Sequence, residues 1–251
     1  IVAPEGSAEK MDLKKTLKGL IKNKPLIAIL CASLIFMMNM MLVGAVNVYL
    51  FKDYFSSAGT LSFVSIAQTI AVLLCAPFIK TLTTKFGKKE MSLVGLLIAS
   101  AAYFFLFFLK NIDAMTFIYI SFIGFIGFGL FNTVIWAFVT DVIDYQEYLT
   151  DLREDGTVYS VYSFARKVGQ ALAGGIGGFA IAAIGYDASR EVQTNEALNG
   201  IHTLATLVPA VVYLGIFLIL LFFYPLNKTR LAKMQEELEA RRGAKESKVI
   251  K

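Results

Sequence analysis

Apolar residues along this chain gather into six long runs, roughly 26–51, 61–79, 91–109, 115–140, 157–184 and 201–225. Each reaches about the 20 residues that a helix needs to cross a hydrocarbon core about 30 Å thick. The pattern predicts an all-α polytopic membrane protein with a six-transmembrane-helix bundle over 25–225. A polar segment, 1–24, precedes the bundle, and a polar tail, 226–251, follows it. In the leading segment Leu13, Leu17, Leu20 and Ile21 recur at helical spacing among lysines, which predicts a short amphipathic helix at the membrane surface. Asn23-Lys24-Pro25 breaks it.

Charge alternates between the connections. Lys80, Lys85, Lys88 and Lys89 crowd the turn between the second and third spans, and both the leading segment and the tail are basic. The connections around Lys52-Asp53, Lys110-Asp113 and Asp187–Glu196 each hold a single Lys or Arg. The positive-inside bias then puts both termini in the cytoplasm, consistent with an even number of spans. Gly87, in the tight Lys85-Phe-Gly-Lys-Lys89 turn, is expected to take a positive φ. The tail carries Leu231, Met234 and Leu238 on one side of a helix whose mixed charges read as a solvated face.

Composition narrows the class. The chain has 251 residues, 57% hydrophobic and 17% charged, with a mean hydropathy of +0.64. A soluble domain carries about a quarter charged residues. The net charge of +5 sits in membrane-flanking connections and not along one soluble face, so it does not point to nucleic acid. Cys31 and Cys75 lie within apolar runs, and no residues have metal-ligand spacing, so disulfide and zinc readings are poor. The opening Ile1-Val-Ala-Pro-Glu has no initiating Met and reads as the continuation of something longer.

The candidate chemistry lies in the fifth run. On a helix Ser160, Ser163, Lys167, Gln170, Gly174 and Gly178 fall near one face, with Tyr159, Tyr162 and Arg166 beside it. Lipid would penalise every polar member, so the stripe points to a packed or water-lined interior, and an intramembrane charge is a functional-site hypothesis by default. Gly174-x-x-x-Gly178 is spaced to let another helix approach. Lys167 reads as lining a pathway, with snorkelling to the headgroups as the alternative. Arg166 is open between that role and pairing with an acid of the preceding connection.

That connection, Asp141 to Gly156, is read as an acidic, aromatic loop. Asp141, Asp144, Glu147 and Arg153 form either a solvated helix end or a gate whose ion pairs make and break. Acids at a helix C-terminus oppose its dipole, so they should have partners elsewhere. Asn39, Asn47, Gln68, Asn132 and Gln170 are uncharged polar residues within the spans, more often interhelix glue than ligands. Trp136 and the tyrosines are suited either to interface anchoring or to stacking on a sugar ring, and His202 is expected at the interface. No Ser/His/Asp set, phosphate-binding loop or intramembrane pair of acids with a His is present, which argues against an enzyme.

The block Asp141-Val-Ile-Asp-Tyr-Gln-Glu-Tyr, then Arg153, Tyr159-Ser160 and Arg166-Lys167-x-x-Gln-Ala-Leu-Ala-Gly, resembles the signature of the glycoside-pentoside-hexuronide:cation symporters, the melibiose-carrier family of the major facilitator superfamily. Lys85-Phe-Gly-Lys-Lys89 resembles half of the superfamily's basic loop motif. The resemblance implies the C-terminal half of a twelve-span transporter, with residues 1–24 as the central cytoplasmic loop. It implies a sugar cargo, a coupling cation (sodium or proton) whose main site lies outside this chain, and a missing N-terminal six-span half as partner. No resident cofactor or metal is implied. Lys167, Ser163, Gln170, Tyr159, Tyr162 and Asn132 are then the candidate sugar-lining residues. Asp141, Asp144, Glu147, Arg153 and Arg166 are the candidate gate and charge network. The rival reading is a non-transporting six-span sensor or assembly subunit of the same fold.

Overall fold

The computed structural model describes residues 13–249, and side chains from residue 18 to residue 243. The described residues form α1 (Leu13–Lys22), α2 (Lys24–Tyr49), α3 (Leu61–Phe86), α4 (Lys88–Phe108), α5 (Ala114–Thr150), α6 (Asp155–Ala183), α7 (Asn195–Phe223) and α8 (Lys228–Val249), and no strand. A π turn over Leu50–Tyr54 prolongs α2. Helices prevail because hydrocarbon offers no partner to an unpaired backbone N–H or C=O, so each segment must satisfy its own. Five helices, α2, α3, α4, α5 and α7, are long and apolar enough to cross a membrane. The fifth expected span, α6, has the length at 29 residues but is less apolar, since it carries Arg166, Lys167 and several glycines.

Several boundaries differ from those the apolar runs predict. Helix α5 continues past residue 140 to Thr150, so the first ten residues of the supposed acidic loop are helical. Loss of hydropathy marks the edge of the membrane and not the end of a helix. Only Asp151, left-handed at φ 57°, stops it. Helix α7 begins at Asn195, where the Thr194 side chain caps it by accepting from the Ala197 N–H. His202 is therefore about two turns inside α7, only 2% exposed and stacked on Tyr54 at 5.2 Å. Gly87 does take a positive φ, 105°, as the single residue between α3 and α4.

Of the leading segment, residues 1–12 lie outside the described residues; Leu13, Leu17, Leu20 and Ile21 all fall on α1, so the expected helix is present. Helix α1 ends before Asn23 as predicted, and it docks on the end of α5. The buried Asn23 caps α2 by accepting from the Leu26 N–H. Its amide donates to the Val142 carbonyl and to Gln146 Oε1, both at 3.1 Å.

Neighbouring helices run in the order α3, α5, α4, α7, α2, α6. The flanking helices, α3 and α6, therefore each have one principal neighbour and a wide uncovered side. Between α2 and α5 the core is aromatic: the Phe36 ring stacks on Phe128 at 5.3 Å and meets Phe131 edge-on at 5.0 Å. Lipid tails are as apolar as a leucine side chain, so helices in a bilayer gain by close packing more than by exclusion of water. Helices α4 and α5 use this at Gly95 and Gly127. A Cβ on Gly95 would lie 2.7 Å from the Gly127 carbonyl oxygen, and one on Gly127 would lie 2.7 Å from the Ala99 nitrogen. Outward-facing Phe78, Phe105, Phe179 and Phe222 are all more than half exposed, as residues facing lipid should be.

Backbone atoms cannot yield as a side-chain tip can, so Gly127→Ala should force α4 and α5 apart and cost about 1–3 kcal/mol. A thermal-unfolding series on the purified protein checks it: Gly127→Ala should melt well below the parent. Gly178→Ala, which meets nothing within 4 Å, should melt with it.

Candidate functional site

Helix α6 rests on α2 along a strip of small residues. Gly169, Ala173 and Gly177 are buried, and a Cβ on Gly169 would lie 2.7 Å from the Leu34 carbonyl oxygen and 3.2 Å from the Met37 Cβ. One on Gly177 would meet the Ala45 Cβ at 3.6 Å. The close approach expected of Gly174 and Gly178 is thus made by the glycines one register away. Both expected positions face open space within this chain.

The polar stripe shares that open side. Lys167, Gln170 and Ser160 are exposed and Ser163 is partly so. The Ser160 hydroxyl turns back to the Gly156 carbonyl at 2.6 Å. Gln170 makes only a long contact, 3.7 Å, to the Met37 sulfur. Lys167 lies about 18 Å along α6 from Asp155, at 1.5 Å per residue. Among the described residues it has no hydrogen bond or ion-pair partner.

Arg166 departs from its expected place in the charge network. Its guanidinium lies 4.8 Å from the Trp136 ring centroid and 5.8 Å from that of Tyr162, with the Met37 sulfur 3.6 Å from Nη2. It sits too far along α6 to meet the acids beyond residue 140, and an aromatic face suits a weakly hydrated guanidinium. Trp136 also stacks with Tyr159 at 6.5 Å and packs edge-on to Tyr162 at 5.7 Å. Trp136 and Tyr159 are half exposed, whereas Tyr162 is fully buried and cannot line an open surface. Asn132 is partly buried, one turn from Trp136 on α5.

Asp144, Glu147 and Arg153 come together at the end of α5. Arg153 Nη1 lies 3.3 Å from Asp144 and 3.2 Å from Glu147, and its Nε lies 3.0 Å from Asp155. Asp141 belongs to a different pair: Lys88 at the start of α4 approaches it to 2.6 Å, and the Asp141 side chain is only 2% exposed. The acids that oppose the α5 dipole therefore do have partners elsewhere.

Three cations at these helix ends take places that the residue pattern does not make evident. Lys88 belongs to the basic turn, where topology alone accounts for its charge. Its neighbour Lys89 donates to the Leu221 and Tyr224 carbonyls at 3.1 and 2.6 Å, capping the end of α7 with a cation. The third is Arg242 of α8, which meets Asp144 at 3.2 Å and Glu147 at 3.0 Å. The hydrogen bond to Glu147 raises the Arg242 guanidinium above its ordinary value, so it stays charged at any ordinary pH. The tail helix is thus docked, not merely solvated. Met234 and Leu238 are buried, Tyr148 donates to Glu237 at 2.9 Å, and Arg241 lies over the Tyr148 ring at 4.7 Å. Leu231, Met234 and Leu238 are the signal that could have shown this.

The bundle thus combines membrane-length helices, ion pairs at one end and an uncovered polar side on which Lys167 stands. The chain belongs to the family described as MFS/sugar transport protein, whose profile matches residues 3–228. It is 31% identical to the glucuronide carrier protein homolog of Escherichia coli K12 over 92% of this chain and 50% of that protein. It is 30% identical to an uncharacterized symporter, YjmB, of Bacillus subtilis 168 over 95% of this chain and 51% of that protein. It is 31% identical to the isoprimeverose transporter of Lactiplantibacillus pentosus over 93% and 48%. The chain spans about half the length of these curated relatives, and its bundle is one half of a major facilitator fold. These relatives bear the names of carriers and transporters, not of enzymes.

Removing one partner of a buried ion pair leaves the other uncompensated, at about 3–5 kcal/mol, whereas removing both can be nearly neutral. Lys88→Ala should therefore lower the unfolding temperature more than Lys88→Ala/Asp141→Ala does. Thermal unfolding of the two purified variants beside the parent measures the difference.

Proposed function

We propose that this chain supplies the C-terminal half of a cation-coupled sugar symporter that works by alternating access. The cargo is a glycoside, pentoside or hexuronide, and the coupling cation is sodium or a proton. The observation that carries the reading is the uncovered stripe of α6, where Lys167 stands without a partner among the described residues and Gln170 has only the Met37 sulfur, on a helix that must lie in a bilayer. A charge facing lipid there is expensive. A second six-helix bundle closing over the stripe would turn it into the wall of a water-filled cavity at the midplane, the general plan of secondary transporters. Among the described residues no acid lies at that depth, so the carboxylates that hold the cation and balance Lys167 belong to the opposite bundle.

In this reading Lys167, Gln170 and Ser163 face the sugar. Trp136 and Tyr159, with Asn132 one turn away, offer rings and an amide beside them. Sugar rings present C–H faces that stack on aromatics and hydroxyls that pair with amides. Arg166 holds Trp136 in position. Asp144, Glu147, Arg153 and Arg242 form the ionic end of the bundle, which the positive-inside bias places in the cytoplasm of a bacterial inner membrane. As the two bundles rock, pairs at that end make and break and so gate access.

Lys167→Ala in the complete transporter should abolish gradient-driven sugar uptake into proteoliposomes, a loss of at least about 100-fold, while insertion and folding persist. Lys167→Arg should recover part of it, since the charge remains. Normal sodium- or proton-driven accumulation by Lys167→Ala would overturn the assignment. Counterflow of labelled glycoside by the parent separates a carrier from a binding-only sensor of the same fold.

A further inference from the structure

A cavity of about 420 Å³ opens among α2, α3, α4, α5 and α7, built wholly from this chain and apart from the α6 stripe. Its size falls within the range of small-molecule sites. Its polar lining is uncharged: Asn47 on α2, Gln68 on α3, Tyr103 on α4 and Tyr213 on α7, with Phe125 and Phe128 of α5 as apolar wall. Neither tyrosine hydroxyl, nor the amide of Asn47 or of Gln68, has a hydrogen-bond partner of ordinary geometry among the described residues. Just behind the wall is Asn39, 2% exposed, and both polar atoms of its side chain are buried without a partner. It neighbours the Tyr213 hydroxyl but makes no hydrogen bond of ordinary geometry. Unpaired buried amides are costly, and more so where the surroundings are hydrocarbon. Four uncharged donor–acceptor groups lining one cavity without a partner of ordinary geometry, with Asn39 beside Tyr213 behind them, mark a place built for a ligand rich in hydroxyls.

The mouth lies along α2, where Met40, Met41 and Gly44 are exposed and a Cβ on Gly44 would meet nothing within 4 Å. Ala45, which also lines the cavity, is the residue on which Gly177 of α6 rests. Gly44 is about 30 Å along α2 from Lys24, against about 18 Å along α6 from Asp155 for Lys167. The cavity therefore lies beyond the lysine, farther from the ionic end and on the same continuous surface.

We propose that this cavity is a subsite for a neutral sugar ring, separate from the charge-reading position at Lys167. Resting on the transport reading above, the inference adds a division of labour. Asn47, Gln68, Tyr103 and Tyr213 take the hydroxyls of an uncharged pyranose or pentose unit by amide and phenol hydrogen bonds, while Lys167 meets an anionic substituent where the cargo has one. A site of this kind discriminates strongly on the presence of a hydroxyl, because an analogue lacking it leaves buried polar groups unpaired.

The test uses the complete transporter in proteoliposomes and two probes that differ in charge, methyl β-D-glucopyranoside and methyl β-D-glucuronide. Gln68→Ala and Asn47→Ala should each weaken binding of both probes by about tenfold, the loss of one or two hydrogen bonds. Lys167→Ala should weaken the glucuronide far more than the glucoside. Gly44→Cys, in a Cys31→Ser/Cys75→Ala background, should react with a maleimide, and either probe at saturation should slow that reaction severalfold. Gly44 is open, so this variant reports on the cavity even if an amide variant fails to fold. If the parent binds and transports the probes, yet Gly44→Cys is unprotected and Gln68→Ala keeps full affinity, the subsite is wrong and the transport reading stands. If the parent neither binds nor transports either probe, the subsite and the glycoside cargo fall together.

Discussion

A bilayer gives a charged side chain three ways to persist: an opposite charge, an aromatic face, or water. Among its described residues this chain shows the first two, in different places. Asp141 has Lys88 at 2.6 Å, and Asp144 and Glu147 have Arg153 and Arg242. Arg166 has the ring of Trp136 at 4.8 Å. Lys167 has neither, although it is the next residue on the same helix. Adjacent helix positions are about 100° apart, so two neighbouring basic residues look onto different surroundings. That rotation separates a structural cation from one left open.

The uncovered side of α6 follows from how the helices pack. With no hydrophobic drive between helices in lipid, adhesion depends on backbone proximity, and proximity requires glycine or alanine on the touching face. Helix α6 places Gly169, Ala173 and Gly177 against α2, and α4 meets α5 at Gly95 and Gly127. The other side of α6 still holds Gly174 and Gly178, small residues with nothing of this chain against them. Small residues on two faces of one helix give it two surfaces of close approach, only one of which is used within the chain.

Much of this was legible in the sequence, and the parts that were not share a cause. Runs of apolar residues located every membrane helix, because length and hydropathy are local properties. They misplaced helix ends at residue 140 and before residue 201, because hydropathy reports the membrane and not the backbone hydrogen bonds that carry α5 on to Thr150. The stripe containing Lys167 was legible from helical spacing alone. Which of two overlapping glycine series faced α2 was not, since both have the same period and differ only in phase. Two of the partners of Asp141, Asp144 and Glu147, namely Lys88 and Arg242, are 53 to 98 residues away and on two other helices. Spacing cannot supply that information. The docking of α8 lay between these cases, for Leu231, Met234 and Leu238 already mark an apolar face that needs cover.

The ionic end and the neutral cavity make different demands on the same bundle. Ion pairs at the ends of α5 and α8 are partly wet, each worth little by itself and easily exchanged for another. They can change partners with small net cost, as the proposed gate requires. The cavity among α2, α3, α4, α5 and α7 is walled by Phe125, Phe128 and two buried tyrosines, and close-packed aromatic walls do not deform by degrees. A sugar held there would ride with the bundle as one body while the ionic end rearranged. Placing weak, exchangeable contacts at the end and rigid, unsatisfied polar groups in the middle allows the bundle to tilt about a ligand without loosening its hold on it.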